Sequence, residues 1–239
     1  MRFSARGALI AAMFMALMAP ACAPQTRDMD QGRLPLPPEA AERVTDRYDE
    51  SAYARDILDE NLTVDFTAGR LDSHMWGCLE GGDCRTDENG VTVTGQGAEA
   101  GVYSSFFLPQ SFSLEVSFEM DEIPPAEGGV GLLLANPGID GGVVLGRAWT
   151  RQRDVYGAGL VRNRALRSDH VFVDPTADLS GELRLVAGDG TAVCLYKQDG
   201  EWKELTRFDL PEGPLRLYLL LRAEPGAQAR FTACEIKIF

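Results

Sequence analysis

The chain has 239 residues, is 45% hydrophobic and 25% charged, and carries a formal net charge of −13. An acidic balance of that size disfavours nucleic acid and anionic lipid surfaces as general partners. The length leaves room for a targeting segment, a spacer and one domain of about 180 residues with a sizeable core.

Arg2 and Arg6 precede an apolar run from Ala8 to Ala19, followed by Pro20, Ala21 and Cys22. A positive start, a short apolar run and a small-residue cut site make a secretory signal over residues 1–21. The run falls short of the roughly 20 residues that a transmembrane helix needs. Ala19-Pro20-Ala21-Cys22 resembles a bacterial lipobox, departing from it in the missing leucine three residues before the cysteine and in the proline. The resemblance implies a lipid on Cys22, with Ala23 implying sorting to the outer membrane, facing periplasm or cell surface. Ordinary cleavage after Ala-Pro-Ala would instead release a secreted protein. Of the five cysteines, assigning Cys22 to lipid leaves Cys78, Cys84, Cys194 and Cys234, an even set suited to an oxidising compartment. Losing Arg2, Arg6 and no acid takes the net charge from −13 to −15. Residues 22–60 form the anchor spacer. Its first part is Pro-rich and polar, and Glu39 to Glu60 carries alanine, tyrosine and leucine at spacings that allow a short helix.

Residues 61–239 read as β. Leu62, Val64 and Phe66 alternate with polar residues, and so, briefly, do Val91 and Val93. Gly101 to Phe107 feeds a Leu-Pro-Gln turn. Ser111 to Asp121 then reads SFSLEVSFEMD, with Phe112, Leu114, Val116, Phe118 and Met120 all apolar and every residue between them polar. Strict alternation buries one face of a strand and wets the other, a pattern of antiparallel sandwiches and barrels. Pro124 and Pro125 end that strand. Val130 to Leu134 is a buried run, Val143 to Trp149 and Val155 to Arg162 form a hairpin, and Val171 and Val173 start a short strand. Leu183, Leu185 and Val193 to Tyr196 flank Gly188-Asp189-Gly190, a strong hairpin signal. Asp199-Gly200 starts another turn, Leu215, Leu217, Leu219 and Leu221 alternate with Arg216, Tyr218 and Arg222, and Phe231 to Phe239 closes the chain. About a dozen short strands with frequent turns imply an all-β, two-sheet antiparallel sandwich.

The segment GELRLVAGDGTAVCLYKQDGEWKEL, Gly181 to Leu205, resembles the strand–turn–strand–Asp-Gly-x-Trp pattern of concanavalin A-like lectin/glucanase sandwiches. The closing strand from Phe231 to Ile236 and the opening stretch from Phe66 to Trp76 are similar to theirs. The resemblance implies two curved, jelly-roll-like sheets with a concave face that in relatives often holds glycans. It also covers purely structural and protein-binding modules, so fold alone does not settle function. Laminarinase-type hydrolases of this superfamily carry Glu-x-Asp-x-Glu on a strand. Here the matching residues are Glu115, Ser117 and Glu119, so the middle carboxylate is missing. Glu115 and Glu119 are the catalytic candidates only under the alternative hydrolase reading. Their i to i+4 spacing puts Cα atoms about 13 Å apart, against a carboxyl separation of about 5 Å for a retaining pair.

Cys78 and Cys84 bracket a loop with two glycines and invite a tight disulfide. Cys194 and Cys234, on strands far apart in sequence, could staple the last strand to an earlier one. No Cys-x-x-Cys occurs, and His74 and His170 lack a metal spacing or a triad partner. No metal or cofactor is therefore expected, although the superfamily resemblance allows calcium in an irregular loop such as Asn136 to Asp140. Trp76 and Trp202 read as core or turn-packing residues. The most unusual stretch runs from Arg147 to Ser168, where Arg147, Arg151, Arg153, Arg162, Arg164 and Arg167 face one acid, Asp154, for a local balance of +5. Trp149 and Tyr156 flank its loop. Aromatic plates beside guanidinium forks suit a sugar ring bearing carboxylate or phosphate. The same arginines could instead pair with acids elsewhere or protect edge strands. Together these readings give a lipid-anchored, non-catalytic envelope module for a glycan or an envelope protein, with no nucleic-acid partner and membrane contact through the lipid alone. A glycoside hydrolase and a purely structural module are the alternatives.

Overall fold

A computed structural model describes residues 57–239, apart from residues 70, 80–82, 98, 137–140, 150–153, 163–164, 167–170 and 174–177. The signal segment, Cys22, the spacer up to residue 56 and the short helix expected there lie outside the described residues.

Two antiparallel sheets face each other. The first runs in the order β10 (Ala165–Leu166), β9 (Asp154–Arg162), β8 (Gly141–Trp149), β7 (Gly128–Asn136), β15 (Leu215–Arg222), β5 (Glu99–Leu108) and β2 (Trp76–Cys78), with β11 (Val171–Val173) also paired to β9. The second runs β14 (Glu201–Asp209), β13 (Thr191–Gln198), β12 (Ser180–Gly188), β6 (Phe112–Met120), β16 (Gln228–Ile238), β4 (Gly90–Thr94) and β3 (Asp83–Asp87), with β1 (Leu62–Asp65) also paired to β16. The fold is the expected all-β sandwich.

Alternation decides which side chains enter it. Phe112, Leu114, Val116, Phe118 and Met120 of β6 are all buried, and so are Leu215, Leu217, Leu219 and Leu221 of β15. Both rows belong to one core cluster between the sheets, with Phe66, Trp76, Phe106, Leu132 and Phe231. Trp76 meets Phe66 and Phe106 edge to face, with centroids 5.3 and 5.8 Å apart, a geometry that adds to the area each ring buries. Removing one such ring costs about 3–5 kcal/mol. The turns follow the local chemistry: Asp189 and Gly190 both have positive φ (51° and 73°), as do Asp199 and Gly200 (54° and 80°). Two successive left-handed residues make the hairpin turn that matches strand twist.

The even residues of β15 and the odd residues of β6 point the other way. The sandwich thus presents two outer faces.

Candidate functional site

The arginine island divides on inspection of its parity. Arg147 and Trp149 share the inward parity of Val143 and Leu145 on β8, and Tyr156 stands opposite Arg147 on β9. Arg147 is 1% exposed and Trp149 1%. The Arg147 guanidinium donates through Nε to Asp154 Oδ1 at 2.7 Å, and through its two terminal nitrogens to Asp154 Oδ2 and to the Asp178 carbonyl. The indole of Trp149 donates to the Ala126 carbonyl at 2.9 Å. Tyr156 stacks on Tyr196 across the two sheets, centroids 4.9 Å apart, and burial pushes its phenol up. These three are interior residues rather than a ligand plate, which corrects the expectation for them. A charge taken inside must be paired and hydrogen-bonded, and the bidentate Asp154 does both. Arg151, Arg153, Arg164, Arg167 and the side chain of Arg162 lie outside the described residues.

Glu115 and Glu119 stand on the outer face of the second sheet. Each holds a different arginine one strand away: Glu115 bonds Arg184 of β12 at 2.6 Å, and Glu119 pairs Arg230 of β16 at 3.7 Å. Arg230 also reaches Asp121, and Lys197 pairs Glu182 at 2.9 Å. Four residues apart on one strand, the two glutamates have Cα atoms about 13 Å apart. Each carboxylate is engaged by an arginine of a different neighbouring strand, in a half-exposed ion-pair lattice. Trp202, expected to pack in the core or at a turn, follows the Asp199-Gly200 turn and lies half-buried on this same face, with the Arg184 guanidinium 4.0 Å from its ring centroid.

The cysteines also part company. Cys194 of β13 and Cys234 of β16 both point into the core, but β12 and β6 separate their strands. Three strand spacings amount to about 14 Å, whereas a disulfide needs Cα atoms within about 7 Å. They are two separate buried thiols, and the expected staple does not exist. Burial pushes Cys194 up to about 12 and raises Cys234 as well. Cys78 and Cys84, by contrast, come to one place: the Gly101 carbonyl accepts both the amide of Leu79, next to Cys78, and the Cys84 thiol. His74 is exposed, its backbone amide bonded to Asp72 Oδ1 at 2.9 Å, while His170 lies outside the described residues. In the loop considered for calcium, the Asn136 amide donates to the Glu212 carbonyl at 2.5 Å. Residues 137–140 lie outside the described residues.

The outer face of the first sheet has a different composition. Strand register lays its residues out in rows. One row reads Gly101, Leu220, Gly131, Gly146 and Gly157 across β5, β15, β7, β8 and β9, and the next reads Tyr103, Tyr218, Leu133, Val144 and Gly159. At Gly131 an added Cβ would stand 2.4 Å from the Leu145 carbonyl oxygen, and at Gly146 2.6 Å from that of Val130. The middle of the face therefore stays flat. Val144, Ala148, Val155 and Val161 form a small apolar cluster there and are buried. Side chains rise over β5 and β15. Tyr103 and Tyr218 lie 6.3 Å apart. The Arg216 guanidinium sits 4.8 Å from the Phe107 ring and 5.7 Å from that of Tyr103. Tyr103, Arg216 and Tyr218 are all half-buried. No carboxylate among the described residues pairs with Arg216, although Arg184 and Arg230 on the opposite face each have one. Aromatic rings and an uncompensated guanidinium on a rigid strand pair suit a polar, ring-shaped ligand with anionic groups. The alternation of Arg216 and Tyr218 with leucines already put them on an outer face. What the sequence withheld was their neighbour Tyr103, brought beside them by pairing between strands more than a hundred residues apart.

No family model and no curated protein matches the chain. Solved structures do. The Bacteroides ovatus GH43B protein of a xyloglucan utilisation locus is similar with a TM-score of 0.60 and 11% identity, over 76% of this chain and 40% of that one. The xylan β-1,4-xylosidase of Bacillus halodurans C-125 is similar with a TM-score of 0.60 and 15% identity, over 75% and 40%. The Crh5 transglycosylase follows with 0.56 and 12%, over 75% and 84%. The likeness is one of fold: an antiparallel β-sandwich shared with these proteins. The chain spans about two fifths of the first two proteins.

Proposed function

We propose that the protein is an extracytoplasmic, non-catalytic binding module that takes a glycan with anionic groups on the outer face of its first sheet, at Tyr103, Arg216 and Tyr218. The observation that carries the reading is Arg216: a guanidinium held over aromatic rings, without a carboxylate partner among the described residues, in a chain of net charge −13. Proteins of similar fold include a xylan β-1,4-xylosidase and the Crh5 transglycosylase, which supports a carbohydrate ligand over other anions. Anchoring through a lipid on Cys22 would hold the module at the outer membrane, and its spacer would let the face reach glycan or an envelope protein.

A glycan array on the mature chain tests this, with acidic and neutral oligosaccharides side by side. Acidic glycans should bind, and Arg216→Ala should weaken binding at least about tenfold, the loss of a charge-assisted hydrogen bond, while Glu115→Gln leaves it unchanged. Equal binding by wild type and Arg216→Ala, or none by either, overturns the assignment. Any bound glycan is then incubated with the protein, since turnover would restore the hydrolase reading. For the anchor, Cys22→Ser should abolish incorporation of a labelled fatty acid.

A further inference from the structure

We infer that Cys78 and Cys84 form a disulfide that fastens the edge of one sheet to the edge of the other and thereby fixes the ring of Tyr103 on the ligand face. Cys78 ends β2, the outermost strand of the first sheet, and Cys84 belongs to β3, the outermost strand of the second. The two chains converge on one atom: the Gly101 carbonyl oxygen receives the Leu79 amide at 2.9 Å and the Cys84 thiol at 3.3 Å. Both cysteines are free thiols, and the neighbouring Cys78 adds to the upward push that burial gives the Cys84 thiol. A short loop containing Gly81 and Gly82 links them.

The position of β2 matters to the ligand face. It is a three-residue strand, paired through Trp76 with Ser104, Gly77 with Tyr103 and Cys78 with Val102, with one backbone bond beyond each end, Ser105 to Met75 and Leu79 to Gly101. The Tyr103 ring lies directly over Gly77, where an added Cβ would be 2.5 Å from Cζ and 2.6 Å from the hydroxyl oxygen. A strand that short at a sheet edge frays readily, and if it moves, the floor under the ring moves with it. A covalent tie to the other sheet removes that freedom. The consequence for Tyr103 as a ligand contact rests on the function proposed above, whereas the bond does not.

The chemistry is thiol–disulfide exchange with an oxidised small thiol or a disulfide oxidoreductase. Cys78 is exposed and meets the oxidant first. With oxidised glutathione, its thiolate attacks one sulfur and releases one glutathione. Cys84, whose thiol is raised chiefly by burial, then loses its proton as its sulfur displaces the second glutathione. The protein loses two protons and two electrons, and glutathione disulfide is reduced to two thiols.

The test uses the full chain, reduced or treated with oxidised glutathione. Arg70 and Arg85 bracket one tryptic peptide, residues 71–85, that holds both cysteines. After oxidation this peptide should lack two hydrogens and resist alkylation. The amides of β2 should exchange about tenfold more slowly than in the reduced protein, as local opening is suppressed. In Cys84→Ser the peptide should carry glutathione on Cys78 and exchange should stay fast. Two alkylated cysteines after oxidation overturn the bond, and a formed bond with unchanged exchange overturns its grip on β2. Neither readout uses a glycan, so failure here leaves the ligand assignment to its own experiment.

Discussion

On the outer face of the second sheet each glutamate of β6 meets an arginine one strand away, and Lys197, Glu182 and Trp202 fill the gaps between them. On the outer face of the first sheet the side chains over β7 and β8 dwindle to glycine, alanine, valine and one leucine, Leu133, and the rise over β5 and β15 is built from tyrosine, phenylalanine and arginine. The charges of the second face are paired with one another. The first face keeps a guanidinium whose nearest company is aromatic. The same two-residue period produces both, so amphipathicity alone does not mark a binding surface. Charge left uncompensated does.

The contrast can be attacked at several points. The deepest perturbation leaves both faces alone. Asp154→Ala strands the Arg147 guanidinium between the sheets and should lower stability by about 3–5 kcal/mol, measured by denaturant unfolding. Alkali acts next on the interior. The thiols of Cys194 and Cys234 and the phenol of Tyr156 are all raised above their ordinary values. The unfolded chain then gives up protons first as pH rises, and stability declines with pH. For Cys194 that contribution is complete below about pH 9 and fades as pH approaches about 12. Unfolding midpoints between pH 8 and pH 11, about the range where thiols and phenols ionise, should fall steadily. On the first face, Gly146→Ala drives a methyl group against the Val130 carbonyl and should cost about 1–3 kcal/mol. Arg216→Ala should remove ligand binding while changing stability by less than about 1 kcal/mol, as expected of a surface site. The smallest effect belongs to the second face: Glu115→Gln should cost about 0–1 kcal/mol and less in high salt. A large loss of binding there, with none at Arg216, would exchange the roles of the two faces.

Much of the architecture was legible because its signals are local. The alternation in β6 and β15 and the Asp-Gly turns at 189–190 and 199–200 each fixed a strand face or a reversal from a few adjacent residues. The site was less legible because it depends on pairing. Arg147, Trp149 and Tyr156 looked like a surface island when counted along the chain. The register with Val143 and Leu145 turns them inward, where the single acid of the stretch, Asp154, is the partner of the first. Cys194 and Cys234 looked joinable until strand order placed two strands between them. Tyr103 drew no notice, because nothing near it in sequence announces Tyr218 or Arg216.

The first and last strands of the sandwich are neighbours: β1 pairs with β16, and Asn61 Oδ1 accepts the amide of Ile238 at 2.8 Å. Entry and exit therefore share a corner, and the domain can be suspended from that corner like a lantern from a hook. A chain cut elsewhere and rejoined at this corner through a short linker would keep every strand pair, which makes the fold portable between tethers of different length.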